Sequence, residues 1–599
     1  MKYKVLRAYM KSRNVKERQE ISKELVIDGK SFFHSSYKNS GCQYLLGGEY
    51  DRYASYLRKL LSKFRDISCY ICFNGAMHED IQGRLELHQR KINEASSIIK
   101  HYKEEEYTDV VIFQTKVIRD VLDELGIKYL VCEYSSLEAL VTLAKYKRCP
   151  VLTNNIEICL YNVACVVPHS LEYNEERNVL FGDVYSPSTC LKYMRLGYDM
   201  IPTFLTLADQ DLPAYPVVSL ITNYKKDSSS AYIYTFLRWI TRHRKSNKEV
   251  IDAVKPHLTQ EEFNTVLAEI VEKQKIFSSR DKTAVNYFSR PQPSGLVNAE
   301  DWFVRGVANG TICNGFINLK NIGLYSGSWL VSDHTREDAM LPALNIVFYS
   351  QALLTQSSSV EITFVGRKHD ESLAWKMEKK IAVKLPKTAL LNTKSRDLLE
   401  LFIDNELPGF SFRRLTGIPE EFRLTVISLA YYLVHREVDI AYAVILSSVI
   451  LGPVTEEVGV IKRSLVFAEE VGNDIAGRGS NLGLTRADCL AAAASVLEMF
   501  YFSNIDAIFE TDLLHTLAEF QHCWYLMNSL NKLVGSPVKC TKFHEAYNGT
   551  FVYNIVLFLR GSPDPLKKVR TLLGNSSVFK LFEKIVVKFK ECLLSVQRV

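Results

Sequence analysis

The stretch KYLVCEYSSLEALVTLAKYKRCPVL (residues 128–152) contains two short apolar runs on either side of a segment with helical spacing. KYLVCEY and CPVL are typical of buried strands, and SLEALVTLAKY (136–146) repeats its apolar residues every three or four positions. A strand, a helix and a second strand in this order form a βαβ unit, in which the chain crosses over and the strands run parallel. The stretch therefore predicts an α/β fold built on a mostly parallel sheet.

Strand and helix signals alternate over the whole of residues 25–167. Further buried strands are predicted in ELVIDG (24–29) and CYICF (69–73). Three segments have the spacing of amphipathic helices: YDRYASYLRKLLSKF (50–64), GRLELHQRKINEASSIIKHY (83–102) and TKVIRDVLDELGI (115–127). This rhythm predicts helices on both faces of the sheet.

The alternation stops after about residue 200. Residues 229–277 are helical in pattern throughout, whereas residues 278–295 contain the Pro, Ser and Gly of a linker or exposed loop. The remainder is mostly helical, with one strand pair expected between VEITFVG (360–366) and KKIAVKL (379–385). For 599 residues, these changes predict three parts, residues 1–225, 226–290 and 291–599.

Composition favours an intracellular globular protein. The chain is 47% hydrophobic and 24% charged, and its net charge of +6 is modest for a nucleic-acid binder of this length. The thirteen cysteines are scattered, and the one CxxC pair, Cys69 and Cys72, lies in an apolar run, so core thiols in a reducing compartment are expected. The polar N-terminus predicts no signal peptide, and the apolar run 440–454 is shorter than a membrane span of about 20 residues. We expect a nuclear or cytoplasmic location, no membrane partner and a buried helix at 440–454.

Both ends of the chain are basic: residues 1–30 carry nine Lys and Arg against four acids, and residues 560–599 carry nine against three. Phosphate contact and solvated surface charge explain such ends about equally well. SVFKLFEKIVVKFKECLL (577–594) places Lys580, Lys584 and Lys588 on one helical face and phenylalanines on the other. This pattern predicts a helix that docks its apolar face on the core, with a nucleic-acid or membrane-surface helix as the alternative.

Polar side chains follow several of the predicted strands. In chain order they are Asp28, Asn74, Asn155, Glu157, Asp209 and Asp211. Because the carboxyl ends of parallel strands meet at one edge of a sheet, we expect these residues to gather there. Carboxylates in such a cluster can hold Mg²⁺ or Mn²⁺, which stabilise the attacking and leaving oxygens of a phosphodiester. The pattern is that of a metal-dependent phosphodiesterase.

Several motifs follow one another at spacings that resemble a known family: VIDGKSFFH (26–34), GGEYDRYASYL (47–57), CYICFNG (69–75) and LVTLAKYKRCPVLTNNIEICLYN (140–162). The chain resembles the asteroid family, a branch of the flap-endonuclease/XPG-like superfamily with a PIN-type nuclease fold. The resemblance is specific up to about residue 277, and it returns more weakly in residues 512–537 and 548–554. It implies a PIN-like mostly parallel sheet flanked by helices, followed by large mainly helical regions.

The resemblance also implies a set of metal-binding acids, which this chain matches only in part. The retained acids are Asp28 at the first strand and Asp211 at the last position, with Asp209 beside it. The Asp of the family's FDG turn is replaced by Asn74, and its Asp-x-Asp pair by Asn155 and Glu157. Since an amide cannot neutralise a dication, two metals are not expected, and one metal on three acids is the alternative.

Two further acids and two arginines belong to the implied site. The acids expected before the fourth strand fall on Ser135 and Leu137, while Glu133 and Glu138 lie nearby but out of register. Arg84 and Arg90 stand near the positions that supply cations to the scissile phosphate. The predicted catalytic set is therefore Asp28, Glu157, Asp211, Arg84 and Arg90, and the predicted metal ligands are Asp28, Glu157, Asp211, Asp209, Asn155 and Asn74.

Two departures weaken a flap-endonuclease mechanism. The chain begins MKYKVLRAYM, with Lys2 where the superfamily has Gly, and LPAYPVVSL follows Asp211 in place of a glycine turn that binds duplex phosphates. The resemblance implies that asteroid relatives commonly lack this turn.

Three hypotheses about function follow. The first is a nuclease-derived asteroid protein, a pseudoenzyme with a depleted metal site that binds nucleic acid or partner proteins. The second is an active single-strand or structure-specific DNA endonuclease of DNA repair, dependent on Mg²⁺ or Mn²⁺ and acting on single-stranded or branched DNA. The third is a scaffold without nucleic-acid affinity. None of them calls for a small-molecule cofactor.

Overall fold

The computed structural model describes most of residues 9–596. Residues outside the description within this span are 11–14, 22, 77–80, 102–110, 210–211, 213–216, 218–228, 244–245, 280–281, 290–301, 328–329, 369–370, 382–395, 436–439, 460–481 and 502–508. The predicted ligand Asp211 therefore lies outside the described residues. Residues 290–295, which contain the Pro and Gly residues of the predicted linker, also lie outside them.

The chain divides into two compact units, neither of which is continuous in sequence. The sheet unit contains residues 1–35, 61–75 and 127–295, and the helical unit contains residues 36–60, 76–126 and 296–599. The sequence predicted consecutive parts instead, and its boundaries at 225 and 290 stay a prediction.

The sheet unit is built on eight strands, β1 to β8. They are β1 (Lys16–Glu20), β2 (Glu24–Asp28), β3 (Ser68–Phe73), β4 (Tyr129–Val131), β5 (Val151–Leu152), β6 (Cys165–Val166), β7 (Glu172–Asn174) and β8 (Val179–Tyr185). Their order is β1-β8-β6-β5-β2-β3-β4, with β7 paired to β8. Strands β6, β5, β2, β3 and β4 are mutually parallel, whereas β1, β7 and β8 pair antiparallel. The mostly parallel sheet predicted from the sequence is confirmed.

Twelve described α-helices lie between residues 29 and 289. They are α1 (Gly29–Phe33), α2 (Ser36–Asn39), α3 (Tyr50–Ser62), α4 (Ile81–His101), α5 (Gln114–Glu124), α6 (Leu137–Lys147), α7 (Pro187–Met194), α8 (Ile201–Leu207), α9 (Ser229–His243), α10 (Asn247–Val254), α11 (Gln260–Ser278) and α12 (Thr283–Ser289). The sequence placed α12 in a linker, which is wrong, because its Ala284 and Val285 are buried and Tyr287 donates to the Tyr129 carbonyl at 2.9 Å.

The C-terminal part of the helical unit is mainly helical, as predicted. Its described helices are α13 (Trp302–Ala308), α14 (Asn314–Ile322), α15 (Leu344–Thr355), α16 (Arg396–Glu406), α17 (Glu420–His435), α18 (Ala441–Val449), α19 (Thr455–Val458), α20 (Arg486–Ser495), α21 (Thr511–Leu533), α22 (Gly549–Leu559), α23 (Pro565–Leu573) and α24 (Ser577–Leu594). Helix α24 buries its phenylalanine face, so the predicted docking of this helix on the core is confirmed.

A small second sheet lies in the helical unit. Strands β9 (Leu324–Ser326), β10 (Ser359–Lys368) and β11 (Glu371–Lys380) are ordered β11-β10-β9, and β10 and β11 pair antiparallel. The first predicted strand is correct. Its partner β11 begins earlier than predicted and includes only Lys379 and Lys380 of the predicted 379–385, of which residues 382–385 lie outside the described residues. The segment SLAWKME alternates in burial and follows β10 closely enough to form a hairpin, which the more apolar KKIAVKL obscured.

The apolar run 440–454 forms α18 and a π-helical turn, Ile450–Val454, and nearly all of its side chains are buried. By length and composition, Ala441–Val458 could cross a membrane, yet 72% of it is buried inside the protein. This burial is that of a core helix, as the sequence predicted.

Candidate active site at the carboxyl edge of the sheet

The parallel strands place the predicted acidic and amide residues at one edge of the sheet. In the strand register, Asp28 pairs with Cys72, Ile27 with Leu152, and Phe73 with Val131. Strands β2, β3, β4 and β5 therefore end at the same edge. The residues that follow them there are Asp28, Asn74, Glu133, Asn155 and Glu157.

Asp28 is buried, and its carboxylate is held by neutral donors. Oδ1 accepts from the Ser31 backbone N–H at 3.2 Å, which caps the N-terminus of α1. Oδ2 accepts from the hydroxyls of Ser31 at 2.6 Å and Thr153 at 2.8 Å. Sequence reasoning missed these two hydroxyl partners, although the DGKS and PVLTNN segments place both beside strand ends. Asp28 is thus a structural cap as well as a predicted ligand.

Asn74 has a similar structural role at the end of β3. Its Oδ1 accepts from the Ser136 backbone N–H at 2.8 Å and from the Ser136 hydroxyl at 2.7 Å. Ser136 is the residue that precedes α6, so the amide satisfies a donor at the start of that helix. A carboxylate at position 74 could accept the same two hydrogen bonds.

The segment after β5 is a hydrogen-bonded turn built from amides. Asn155 Oδ1 accepts from the Glu157 N–H at 3.2 Å and caps the 3₁₀ helix Ile156–Tyr161. Asn154 Nδ2 donates to the Ser31 carbonyl at 3.2 Å. Glu157 is buried, and its Oε1 accepts from the Tyr161 hydroxyl at 3.4 Å. Of the three polar residues in this turn, only Glu157 carries a charge to the edge.

The remaining predicted acids of the sheet unit lie in different surroundings. Asp209 is buried, and its Oδ2 lies 4.0 Å from the Lys273 ammonium of α11, which already offsets its charge. Glu133 is exposed after β4, and Glu138 lies half-buried in the first turn of α6. The predicted ligand Asp211 lies outside the described residues.

The two predicted arginines lie on α4, which belongs to the helical unit. Arg90 is exposed. The side chain of Arg84 lies outside the description, so its role stays a prediction.

The described residues at this edge do not fit a two-metal centre. Asn74 and Asn155 contribute no negative charge, and both amide oxygens accept from backbone N–H groups at helix starts. Burial first, and then the neighbouring Cys132 and Asp28, raise the pKa of the Cys72 thiol, which favours the neutral thiol over the thiolate that a metal binds. Among described residues, no three His, Cys, Asp or Glu ligand atoms at this edge lie within 4.8 Å of one another.

A group with metal-ligand composition does occur in the helical unit, and the sequence did not predict it. Glu124, His544 and Glu545 each offer a ligand atom within 4.8 Å of the others. The Lys542 ammonium, however, lies 2.7 Å from Glu124 Oε1 and 3.1 Å from Glu545 Oε1, where a cation would bind. Residues so distant in sequence give no spacing signal. The arrangement is an ion-pair network in which the Lys542 ammonium occupies the position that a metal cation would take.

The comparisons with known proteins can be set against this geometry. The family model of the Asteroid N-terminal domain matches residues 421–598. A Danio rerio protein named "Single-strand DNA endonuclease ASTE1" is 20% identical over 601 residues, which cover 94% of this chain and 82% of that protein. The chain is thus similar to asteroid proteins, as its sequence motifs indicated.

The match to other asteroid relatives is shorter. "Protein asteroid" of Drosophila melanogaster is 24% identical over 219 residues, and the match spans 31% of this chain and about a quarter (26%) of the fruit-fly protein. The human "Single-strand DNA endonuclease ASTE1" is 20% identical over 270 residues, covering 41% of this chain and 39% of that protein. The asteroid family model covers the C-terminal region, where the sequence resemblance was weaker.

Two solved structures resemble this chain distantly. The catalytic core of Rad2 in complex with DNA substrate aligns with a TM-score of 0.26 at 12% identity, covering 50% of this chain and 92% of that catalytic-core chain. Human GEN1 in complex with Holliday junction DNA aligns with a TM-score of 0.26 at 10% identity, covering 67% and 95%. Because both TM-scores are low, the sheet topology above, and not these structures, defines the fold.

Proposed function

We propose that this asteroid-family chain derives from a structure-specific DNA endonuclease and acts by binding nucleic acid or partner proteins, with weak or no nuclease activity. The observation that carries the proposal is the use of two amides where the family resemblance implies carboxylates. The side-chain oxygens of Asn74 and Asn155 both accept hydrogen bonds from backbone N–H groups at the start of a helix. The zebrafish and human relatives named as single-strand DNA endonucleases support the nuclease ancestry.

The second candidate function is an active, metal-dependent endonuclease on single-stranded or branched DNA. The match to the zebrafish relative over 94% of this chain favours it. Asp28, Glu157 and Asp211 would then hold a single Mg²⁺ or Mn²⁺, with Glu133, Glu138 or Asp209 as substitutes. The hydroxyl partners of Asp28 and the ammonium beside Asp209 count against this arrangement.

A cleavage assay separates the two functions. The purified full-length protein is incubated with single-stranded, overhang and flap DNA in the presence of Mg²⁺ or Mn²⁺, beside the Asp28→Asn variant. The substituted amide keeps an oxygen that can cap α1 and meets hydroxyls that accept as well as donate, so only the charge is lost.

We expect the wild-type protein and the Asp28→Asn variant to release the same trace of cut DNA. Cleavage by the wild type that disappears in Asp28→Asn would overturn the proposal in favour of the active endonuclease. Binding of the uncut strands, measured in the same samples by fluorescence anisotropy, tests the nucleic-acid part separately. Absence of binding would leave partner proteins as the targets.

We also propose an intracellular location. All thirteen cysteines are free thiols, most of which are buried in the core, as suits a reducing compartment. Fractionation of cells that express the tagged protein tests this location, and a secreted, glycosylated product would contradict it.

A further inference from the structure

The last two described helices present a strongly basic surface to solvent. Together α23 and α24 carry two acids, Glu583 and Glu591, against a larger set of cations. These cations, here called the basic surface, are Lys567, Lys568, Arg570, Lys580, Lys584, Lys588 and Lys590. Lys567, Arg570, Lys580, Lys584 and Lys590 are exposed.

The docking of both helices does not require these charges, because the opposite, apolar face of each helix is buried in the protein. Helix α24 buries Val578, Phe579, Leu581, Phe582, Ile585, Val586, Phe589 and Cys592. Helix α23 buries Val569 and Leu573 and begins at Asp564, whose side chain accepts from the Lys567 N–H at 3.1 Å. The apolar faces therefore explain the docking, and the lysines remain to be explained.

The acids nearby are too few to neutralise the surface. Glu583 lies 3.4 Å from Arg570, and Glu591 lies 2.6 Å from Lys588. At the start of α24, the Asp488 carboxylate accepts from the Ser577 N–H at 2.7 Å. The hydrogen bonds of Ser577, together with the charge of Lys580, lower the pKa of Asp488. Within the part of the chain that is described, no acid lies within 4.0 Å of the ammonium of Lys567, Lys584 or Lys590.

Three of the cations lie beside aromatic rings. The Lys568 ammonium lies 4.7 Å from the centre of the Phe558 ring, and the Lys590 ammonium lies 5.2 Å from that of Tyr442. Arg570 lies 4.8 Å from the Phe579 ring centre. Along α24, Lys580, Lys584 and Lys588 recur every four residues, or roughly every 6 Å of helix axis. A row of regularly spaced cations is suited to a regularly charged, extended polyanion.

We propose that the basic surface binds the phosphate backbone of nucleic acid, and specifically single-stranded DNA. This inference rests on the nucleic-acid-binding part of the proposed function and names its surface. A membrane surface fits less well, because a membrane-bound amphipathic helix inserts its apolar face, and the apolar face of α24 is buried in the protein. The exposed apolar residues Val587 and Leu594 are separate and form no such face.

The test compares two variants of the full chain that each remove two positive charges. Lys580→Gln/Lys584→Gln changes the basic surface. Lys248→Gln/Lys255→Gln is the matched control, since both lysines are exposed at the sheet unit's helix α10, where Glu249 and Asp252 dilute their charge. Binding of a fluorescent oligo-dT strand is measured by anisotropy over a range of salt concentrations, beside vesicles of phosphatidylcholine and phosphatidylserine.

We expect the Lys580→Gln/Lys584→Gln variant to bind the strand about fivefold or more weakly, and the control to bind like the wild type. Because each lost phosphate contact removes about 0.7 from the slope of log affinity against log salt, the slope should fall by about 1.4. Unchanged DNA binding in this variant, while the wild type binds DNA, would overturn the inference and leave the proposed function intact. Loss of vesicle binding without loss of DNA binding would overturn it in favour of a lipid surface. A wild type that binds no DNA would overturn the inference together with the nucleic-acid part of the proposed function, and would leave partner proteins as the targets.

Discussion

At the scale of single residues, the two asparagines decide how the sheet edge is interpreted. The side-chain oxygens of Asn74 and Asn155 both accept hydrogen bonds from N–H groups at the start of a helix. The two amides therefore preserve the stability of these helix starts, while the edge carries two fewer negative charges than it would with Asp at both positions. Asp and Asn are about equally good at such positions. The loss of charge at this edge is therefore separable from the stability of the fold.

The variant Asn74→Asp/Asn155→Asp should restore metal affinity without loss of stability. Two added carboxylates beside Asp28 and Glu157 increase the negative charge that a hard dication requires. We expect Mn²⁺ affinity, measured by titration calorimetry and by the loss of free-Mn²⁺ EPR signal, to rise on the order of tenfold or more. Asn154→Asp is the control, because Asn154 is a donor to Ser31 and a new charge there also loses that hydrogen bond. Equal Mn²⁺ affinity in wild type and double variant would contradict the depleted site.

Gly75, which follows strand β3, allows a close approach of two backbone segments at this edge of the sheet. A Cβ at this position would lie 2.0 Å from the Cys132 carbonyl oxygen and 2.4 Å from that of Glu133. Both obstacles are backbone, and the Gly75 N–H donates to the Tyr134 carbonyl at 2.8 Å, so the strands cannot separate easily. We expect Gly75→Ala to lower the free energy of unfolding by about 2–4 kcal/mol in urea titrations. Gly126→Ala, with open space around its Cβ but a positive φ of 66°, should cost clearly less.

At the scale of elements, an ion-pair network joins three helical segments of the helical unit. Glu124 at the end of α5 accepts from Arg58 of α3 at 2.7 Å and from Lys542 at 2.7 Å, and lies 3.0 Å from His544 Nε2. Although burial raises it, the hydrogen bonds and charges of His544, Arg58 and Lys542 hold the pKa of Glu124 well below its usual range. The carboxylate therefore stabilises the fold in its charged form.

Removal of this charge should destabilise the protein in a pH-dependent way. We expect Glu124→Gln to lower the free energy of unfolding by about 1–3 kcal/mol at pH 7. Because the folded pKa is depressed, the contribution is present above the unfolded pKa of 4.5 and is lost as the pH falls below it, so the two proteins should converge in acid. Glu545→Gln, in the same network but about half exposed, should change stability by less than about 0.5 kcal/mol. A pH-independent difference would refute this account.

Helix α21 carries a buried histidine with the same sign of pH dependence. Burial, with the charge of His515, lowers the pKa of His522 to about 3 despite the opposing charge of Glu519. The unfolded chain binds a proton near pH 6.5 that the folded chain rejects, so stability is complete above that pH and is lost below it. We expect His522→Gln to abolish about 2 kcal/mol of the stability loss between pH 7 and pH 5, measured by thermal unfolding at each pH. An unchanged pH profile would show that this histidine is solvated.

At the scale of the whole molecule, the sequence predicted the parallel strands because they are apolar on both faces. Leu25, Val26 and Ile27 are fully buried and stand out in any pattern of hydrophobicity. Strand β1, KERQE, is exposed at all five positions, so no apolar signal could reveal that it extends the sheet antiparallel to β8. The same pattern placed Asp28, Asn74 and Glu157 at one edge. It did not predict that the hydroxyls of Ser31 and Thr153 donate hydrogen bonds to the Asp28 carboxylate, because hydroxyl residues give no periodic signal.

Consecutive domain boundaries were expected because sequence patterns report only on neighbours along the chain. In the helical unit, Glu49 forms a bridge with Asn548, and Gly549 approaches so closely that a Cβ would lie 2.0 Å from the Leu46 carbonyl oxygen. Phe113 stacks on Phe543 with ring centres 3.6 Å apart, and both rings contact Trp524. None of these pairings leaves a trace in local spacing.

A fragment of residues 1–290 should therefore fail to fold, although it includes every predicted strand of the main sheet. Its Tyr50 and Phe113, fully buried in the whole chain, would lose the aromatic neighbours supplied by residues 524, 543 and 547. We expect the fragment to aggregate or to show no cooperative thermal transition by circular dichroism. In the full chain, Phe543→Ala removes one ring of this cluster and should cost about 3–5 kcal/mol. A soluble fragment with a sharp transition would instead favour the consecutive division, and would mean that helices α3 and α5 can pack without the C-terminal region.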